Sequence, residues 1–326
     1  MTRPASGDNR SLAIEARGLV KRFDDTLAVD GGDIEVPEGA IYGILGPNGA
    51  GKTTTLRMLL GIIDPDQGVR RIFGNDRPHE VAKLIGYLPE ERGLYPAMKC
   101  DEAIAFMGAL RGLSLAEGRA RGRELLERHG LGHAVDRQIR QLSKGMAQTV
   151  QLLGTLVHRP RLVVFDEPFS GLDAINQGKL EVMIRALADD GTTVIFSTHV
   201  IHHAERLCDD VAIIAAGKVP YAGSVDVARD RIPAQVRLET RSGDGPWRAA
   251  LPDTARHDAK AGGSHFWYFP VPETGIEALL KPLIDGEAGI LSLSIERAGL
   301  HDAFVEIAGE AAARALAEET AAGASR

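Results

Sequence analysis

The stretch AIYGILGPNGAGKTT, residues 40–54, decides the fold. Residues 40–45 form a short, continuously apolar run, the pattern of a strand buried on both faces. Residues 46–51 break that run with glycines and a proline. After Lys52, apolar side chains fall at Leu56, Leu59, Leu60 and Ile63, which is helical spacing. Gly46-Pro47-Asn48-Gly49-Ala50-Gly51-Lys52-Thr53, followed by Thr54, fits G-x-x-x-x-G-K-[ST] between a strand and a helix. In such a loop the glycines let successive backbone N–H groups turn inward around phosphates, and the helix points its positive end at them. Lys52 reaches the β- and γ-phosphates, and Thr53 offers a hydroxyl to Mg²⁺.

Working outward, residues 162–165 are another buried-strand run, ending in Asp166-Glu167. Residues 192–197 form a β-branched strand ending at Thr198-His199, and residues 211–215 with 218–221 read as a hairpin over Ala216-Gly217. Upstream, Leu12, Ile14 and Ala16, then Ile34 and Val36, alternate as half-exposed antiparallel strands do. Residues 101–158 are mostly helical in pattern. Buried strands separated by helices imply an α/β core with a parallel sheet, an antiparallel β subdomain and a helical insert at about 95–158. Near residue 230 the texture changes. Val236, Leu238 and Thr240 alternate, residues 265–269 are aromatic, and helical and alternating segments follow to about 308. The reading is a first domain over 1–230 and a small accessory α+β domain over 231–326, ending in an Ala- and Glu-rich helical tail.

An acid closing a buried strand beside a phosphate loop is where a Mg²⁺-organising carboxylate belongs, which is Asp166. A second carboxylate directly after it, Glu167, can accept a proton from attacking water. His199 follows a strand of the same sheet. His202 and His203 share a helix face with it, but no further ligand cluster accompanies them. The two cysteines, Cys100 and Cys208, stand far apart in no metal-binding spacing. A net charge of −7 gives no general pull toward nucleic acid or anionic lipid. No apolar run approaches the roughly 18 residues needed to cross a bilayer, and no signal-peptide h-region is read at the start. A cytoplasmic protein is expected, working at a membrane only through a partner.

In this order the motifs resemble the ATP-binding cassette family, specifically the nucleotide-binding subunits of bacterial transporters. Residues 46–54 are similar to Walker A, Leu142-Ser143-Lys144-Gly145-Met146 to the family signature, and residues 162–167 to Walker B. Ser170-Gly171-Leu172-Asp173 is similar to the D-loop, and His199 to the switch histidine. The resemblance covers residues 10–230 and implies a P-loop NTPase cassette that binds ATP and Mg²⁺ and hydrolyses ATP. Two copies would pair head to tail, each ATP lying between Walker A of one and Ser143 and Gly145 of the other. The resemblance makes Glu167 the general base, with Lys52 and His199 steadying the phosphates, and Phe23 the aromatic that stacks on adenine. A buried, purely structural Phe23 is the other reading of that residue.

Two departures stand out. Glu90, after Tyr87-Leu88-Pro89, occupies the position of the family's usual glutamine, and it would ligate Mg²⁺ at the cost of extra negative charge near phosphate. Lys144 and Met146 replace the usual glycine and glutamine of the signature. The loop at residues 92–98 lies where the family docks a membrane permease, here of the ABC-2 exporter type by resemblance, on the cytoplasmic face of the inner membrane. The alternatives are a soluble cassette ATPase acting on nucleic acid or ribosomes and a low-turnover nucleotide-gated regulator. One cassette, a short insert and isolated cysteines disfavour the nucleic-acid reading.

Overall fold

The computed structural model describes residues 11–91, 93–259 and 264–324. Two long strands open the chain, β1 (Leu12–Phe23) and β2 (Thr26–Pro37), followed by β3 (Ile41–Leu45), α1 (Lys52–Leu59), β4 (Gln67–Ile72) and β5 (Ile85–Leu88). Three helices come next, α2 (Cys100–Ala109), α3 (Leu115–Arg128) and α4 (Lys144–Leu156). The chain then alternates through β6 (Leu162–Phe165), α5 (Ala174–Asp189), β7 (Thr193–Thr198) and α6 (Ile201–Leu207) to the hairpin β8 (Asp210–Ala215) and β9 (Lys218–Ser224).

Strands β5, β6, β7, β3 and β8 pair in that order in parallel, and β9 closes the edge antiparallel. Every residue of β3, β6 and β7 is buried, because helices cover both faces of a parallel sheet. Register fixes the functional edge. Leu45 lies opposite Thr198, and Leu88 opposite Phe165, so the loops after β3, β5, β6 and β7 leave the sheet on one side. Open α/β sheets bind ligands outside these carboxyl ends. A separate antiparallel sheet, β2-β1-β4, carries Phe23 at the end of β1. Helices α2 to α4 enclose their own core of Cys100, Ile104, Leu126, Val150 and Leu153.

His158, just past α4, donates from Nε2 to the Ile85 carbonyl at 3.1 Å, while its Nδ1 is buried without a partner. Burial, and then the charge of Arg111, hold the ring's pKa below 6.5 against the opposing pull of the Ile85 carbonyl. A base depressed in the folded state stabilises above the unfolded value of about 6.5 and loses that contribution as pH falls toward the folded value. His129 and His203 shift the same way. The expected result is that His158→Gln flattens the fall of the thermal midpoint between about pH 7.5 and 5.5 relative to the parent. An unchanged slope would remove His158 from the acid response.

The chain divides into two compact units, the first ending at Val225 and resuming at Ile307, the second spanning Asp226–Glu306. Helix α7 (Val225–Arg229) leads into β10 (Gln235–Thr240), β11 (Arg256–Ala259), β12 (His265–Pro270), α8 (Ile276–Asp285) and β13 (Ile290–Glu296). These strands form one antiparallel sheet ordered β11-β12-β10-β13. Its core is aromatic. Trp267 donates to Thr240 Oγ1 at 3.0 Å and meets Trp247 edge-on at 5.4 Å, an arrangement that satisfies the indole N–H while burying its rings. Helix α9 (Leu300–Ala308) and, after Gly309, α10 (Glu310–Ala324) end the described chain, and α10 belongs to the first unit.

Candidate active site

The loop after β3 tolerates no side chain at two points. A Cβ at Gly46 would lie 2.2 Å from the Ile214 carbonyl oxygen. Gly51, the residue before α1, has φ +106°, and a Cβ there would meet the Ala28 carbonyl at 2.5 Å. Ala50 is buried and holds the loop down by accepting from Gly217 N at 3.0 Å. Asn48 and Gly49 form the exposed tip. Thr54 follows Thr53 within α1.

Lys52 folds back under the loop. Its Nζ donates to the carbonyls of Gly46 at 2.8 Å and Pro47 at 3.2 Å, and stands 3.0 Å from Glu167 Oε1. Thr53 Oγ1 donates to Asp166 Oδ1 at 3.1 Å. Ser197, the penultimate residue of β7, joins the two acids. Its hydroxyl donates to Asp166 Oδ1 at 2.7 Å and accepts from the Glu167 N–H at 2.9 Å. Glu167 takes a left-handed φ of 48°, an uncommon conformation for a non-glycine residue and one that recurs at functional sites. Its Oε2 meets His199 Nδ1 at 2.9 Å.

These contacts decide the charges. Burial is the largest influence on Glu167 and pushes its pKa up, but the His199 hydrogen bond, the Lys52 charge and the His199 charge together hold it below the usual range. The same hydrogen bond to Glu167, against partial burial, raises His199 above 6.5. Asp166 Oδ2 is buried and has no hydrogen-bond partner. A poised carboxylate, a buried ammonium and an orphaned oxygen converge at the mouth of a phosphate loop.

The chain matches the family described as "ABC transporter" over residues 29–170. It is 32% identical over 292 residues to the uncharacterized ABC transporter ATP-binding protein YhaQ of Bacillus subtilis, covering 89% of this chain and 97% of that one. The chain belongs to the ABC transporter ATP-binding proteins. The daunorubicin/doxorubicin resistance ATP-binding protein DrrA of Streptomyces peucetius is 39% identical over 73% of this chain and 72% of its own. The Nod factor export ATP-binding protein I of Burkholderia lata is 33% identical over 91% of this chain and 97% of its own. A solved structure titled as the ATP binding subunit of an ABC transporter superposes with TM-score 0.62 at 29% identity, over 67% of this chain and 92% of that one.

As an ABC ATP-binding subunit the chain binds and hydrolyses ATP on a P-loop cassette. Within one ABC cassette not every expected residue meets at the loop. Ser143 and Gly145 begin α4 on a different groove, shared with Leu172 and Asn176 of the D-loop and α5. Ser143 Oγ caps its own helix, accepting from Met146 N at 3.3 Å. Phe23 is 46% exposed with Lys21 Nζ 5.6 Å from its ring centre, so the core reading of this residue fails. Glu90 sits exposed at the rim, where loss of water, then the Asp166 and Glu167 charges, raise its pKa. In the loop that follows, Arg92 lies outside the described residues. Leu94 and Met98 pack onto the helical core, and Tyr95 is 57% exposed, edge-on to Phe106 at 5.7 Å.

Among the described residues no group of three or more His, Cys, Asp or Glu side chains is placed to hold a metal ion, His199, His202 and His203 included. His203 instead bonds Glu181 at 3.1 Å and stacks on Phe169 at 3.9 Å, which supports the segment just after Glu167. Sequence reasoning missed Ser197 and Gln148, whose amide donates to the Pro168 carbonyl at 2.7 Å. Ser197 had a signal, being a hydroxyl at the end of a buried strand. Gln148 had none, since its partner lies in another element. Among the described residues no helix is long and apolar enough to cross a membrane.

Proposed function

We propose that this chain is the motor of an exporter, hydrolysing ATP in a head-to-tail pair and driving a separate ABC-2 type permease from the cytoplasmic face of the inner membrane. The observation that carries the reading is the line Lys52–Glu167–His199 beside the orphaned Asp166 oxygen. Phosphate arriving at the loop competes for Lys52 Nζ and frees Glu167 Oε1, which then accepts a proton from the attacking water. His199, bonded to Oε2, keeps that carboxylate oriented and steadies the γ-phosphate. Phe23 stacks on adenine, Asn48, Gly49 and the rest of the loop wrap the phosphates, and Ser143 and Gly145 of the second copy complete the site.

The donor set fits a hard divalent cation. Thr53 and Asp166, with Glu90 from the rim, would hold Mg²⁺, which supplies neutralising charge to the phosphate oxygens. The aromatic Tyr95 supports a permease contact at the loop it occupies, because exposed apolar side chains on loops mark interfaces. The export direction rests on the drug-resistance and Nod factor relatives. Nothing in the charge of −7 favours nucleic acid as the partner. In the two-domain reading, with a boundary near 230, the accessory domain would support pairing.

The test is purification from detergent-solubilised membranes, followed by steady-state phosphate release by the complex. A co-purifying integral membrane protein, with turnover above that of the chain alone, is the expected result. Glu90→Gln is expected to change that turnover by no more than about fivefold, because an amide oxygen can take the place of the carboxylate as a cation ligand. If Glu90→Gln instead lifts turnover from nil, the natural chain is a nucleotide-gated regulator. Recovery with ribosomes and not membranes would reject the exporter reading.

A further inference from the structure

Helix α10 reaches the phosphate loop. Asn48 N–H, at the exposed tip of that loop, donates to both carboxylate oxygens of Glu319 at 3.0 Å each. The helix is built to hold this position. Its alanine-rich sequence has high helix propensity, and Ala313, Leu316 and Glu319 recur every three residues on one side. Ala313 and Leu316 are buried, so the side that packs is the side that carries Glu319. The charge of Glu319 also acts weakly on His199 and adds to the rise in its pKa. A backbone N–H of a phosphate loop donates to any oxyanion, and a carboxylate offers two of the oxygens that a phosphate would.

We propose that Glu319 is a built-in occupant of the phosphate loop, so that α10 must withdraw before ATP seats. The helix is tethered, and its effective concentration at the loop is set by the chain and not by solution. A nucleotide that binds only the withdrawn form has its apparent affinity reduced by the fraction withdrawn. A helix docked for most of the time therefore weakens ATP binding severalfold, and ATP in turn expels the helix. The inference goes beyond hydrolysis itself and needs only that ATP occupy the loop, which titration of the parent chain reads separately.

The experiment uses the full chain, titrated with a fluorescent ATP analogue, comparing the parent, Glu319→Gln, Glu319→Ala and the neighbouring control Glu318→Gln. Both Glu319 variants are expected to bind about 3- to 30-fold more tightly, and the control to match the parent. Hydrogen exchange supplies the second measurement, with the amides of α10 losing protection when ATP is added to the parent. Equal affinities for the parent and both Glu319 variants, with α10 exchange indifferent to ATP, would overturn the proposal. Parent and variants that all fail to bind the analogue would sink it together with the assignment of the loop.

Discussion

Glu167→Gln is expected to lower ATP turnover by about 10²- to 10⁴-fold, the contribution of a positioned general base, while nucleotide binding stays within a few-fold of the parent. The substitution keeps the shape and a hydrogen-bonding oxygen for His199, 2.9 Å away in the parent. It removes the basicity that the surrounding cations tune. Burial works against ionisation of Glu167, and the His199 hydrogen bond, the Lys52 and His199 charges and the Lys52 hydrogen bond together hold its pKa below the usual range. In the proposed mechanism that balance keeps the acid ionised and able to accept a proton. Phosphate release measured beside equilibrium nucleotide binding separates the two effects. Turnover within tenfold of the parent would assign the proton to another group.

Lys52→Ala has two expected effects from one side chain. Its Nζ holds the Gly46 and Pro47 carbonyls and pairs with Glu167, and both members of the pair are almost wholly buried. Removing one partner of a buried pair strands the other charge, a loss of about 3–5 kcal/mol in comparable cases. His199 remains beside Glu167 and moderates that cost. Loss of a charge-assisted contact to phosphate, about 1.5–3 kcal/mol, weakens ATP binding by roughly 10- to 150-fold. Urea denaturation reads the first effect and nucleotide titration the second. A variant as stable as the parent that binds ATP normally would show that Lys52 neither holds the site nor meets the phosphate.

The part of this fold that was readable in sequence is the part where burial leaves a pattern. Strands β3, β6 and β7 are buried on both faces, so each shows as a short run just ahead of candidate site residues. Strand β4 left no such trace, because only Ile72 of its six residues is buried, and four-residue β5 is too short to show a period. Lys52, Thr53, Asp166, Glu167 and His199 were legible because loop and strand ends were. Ser197 left only a faint signal and Gln148 none, since the value of each lies in a partner 31 or 20 residues away. The tail reads as a helix from composition alone, yet an alanine stripe suits many surfaces, and nothing in it announces the loop that Glu319 meets.

The hydrogen bond from Gln148 to the Pro168 carbonyl has a consequence for a pair of these chains. Gln148 lies in the first turns of α4, the helix that Ser143 caps, and Pro168 directly follows Glu167. In the proposed head-to-tail pair, α4 would serve the nucleotide held by the other copy, whereas Glu167 would serve its own. One short bond therefore ties the grip on one ATP to the placement of the base acting on the other. In that proposed pair neither nucleotide would be committed in isolation, and the expected response to ATP is cooperative, that of a two-input gate and not of two independent hydrolases.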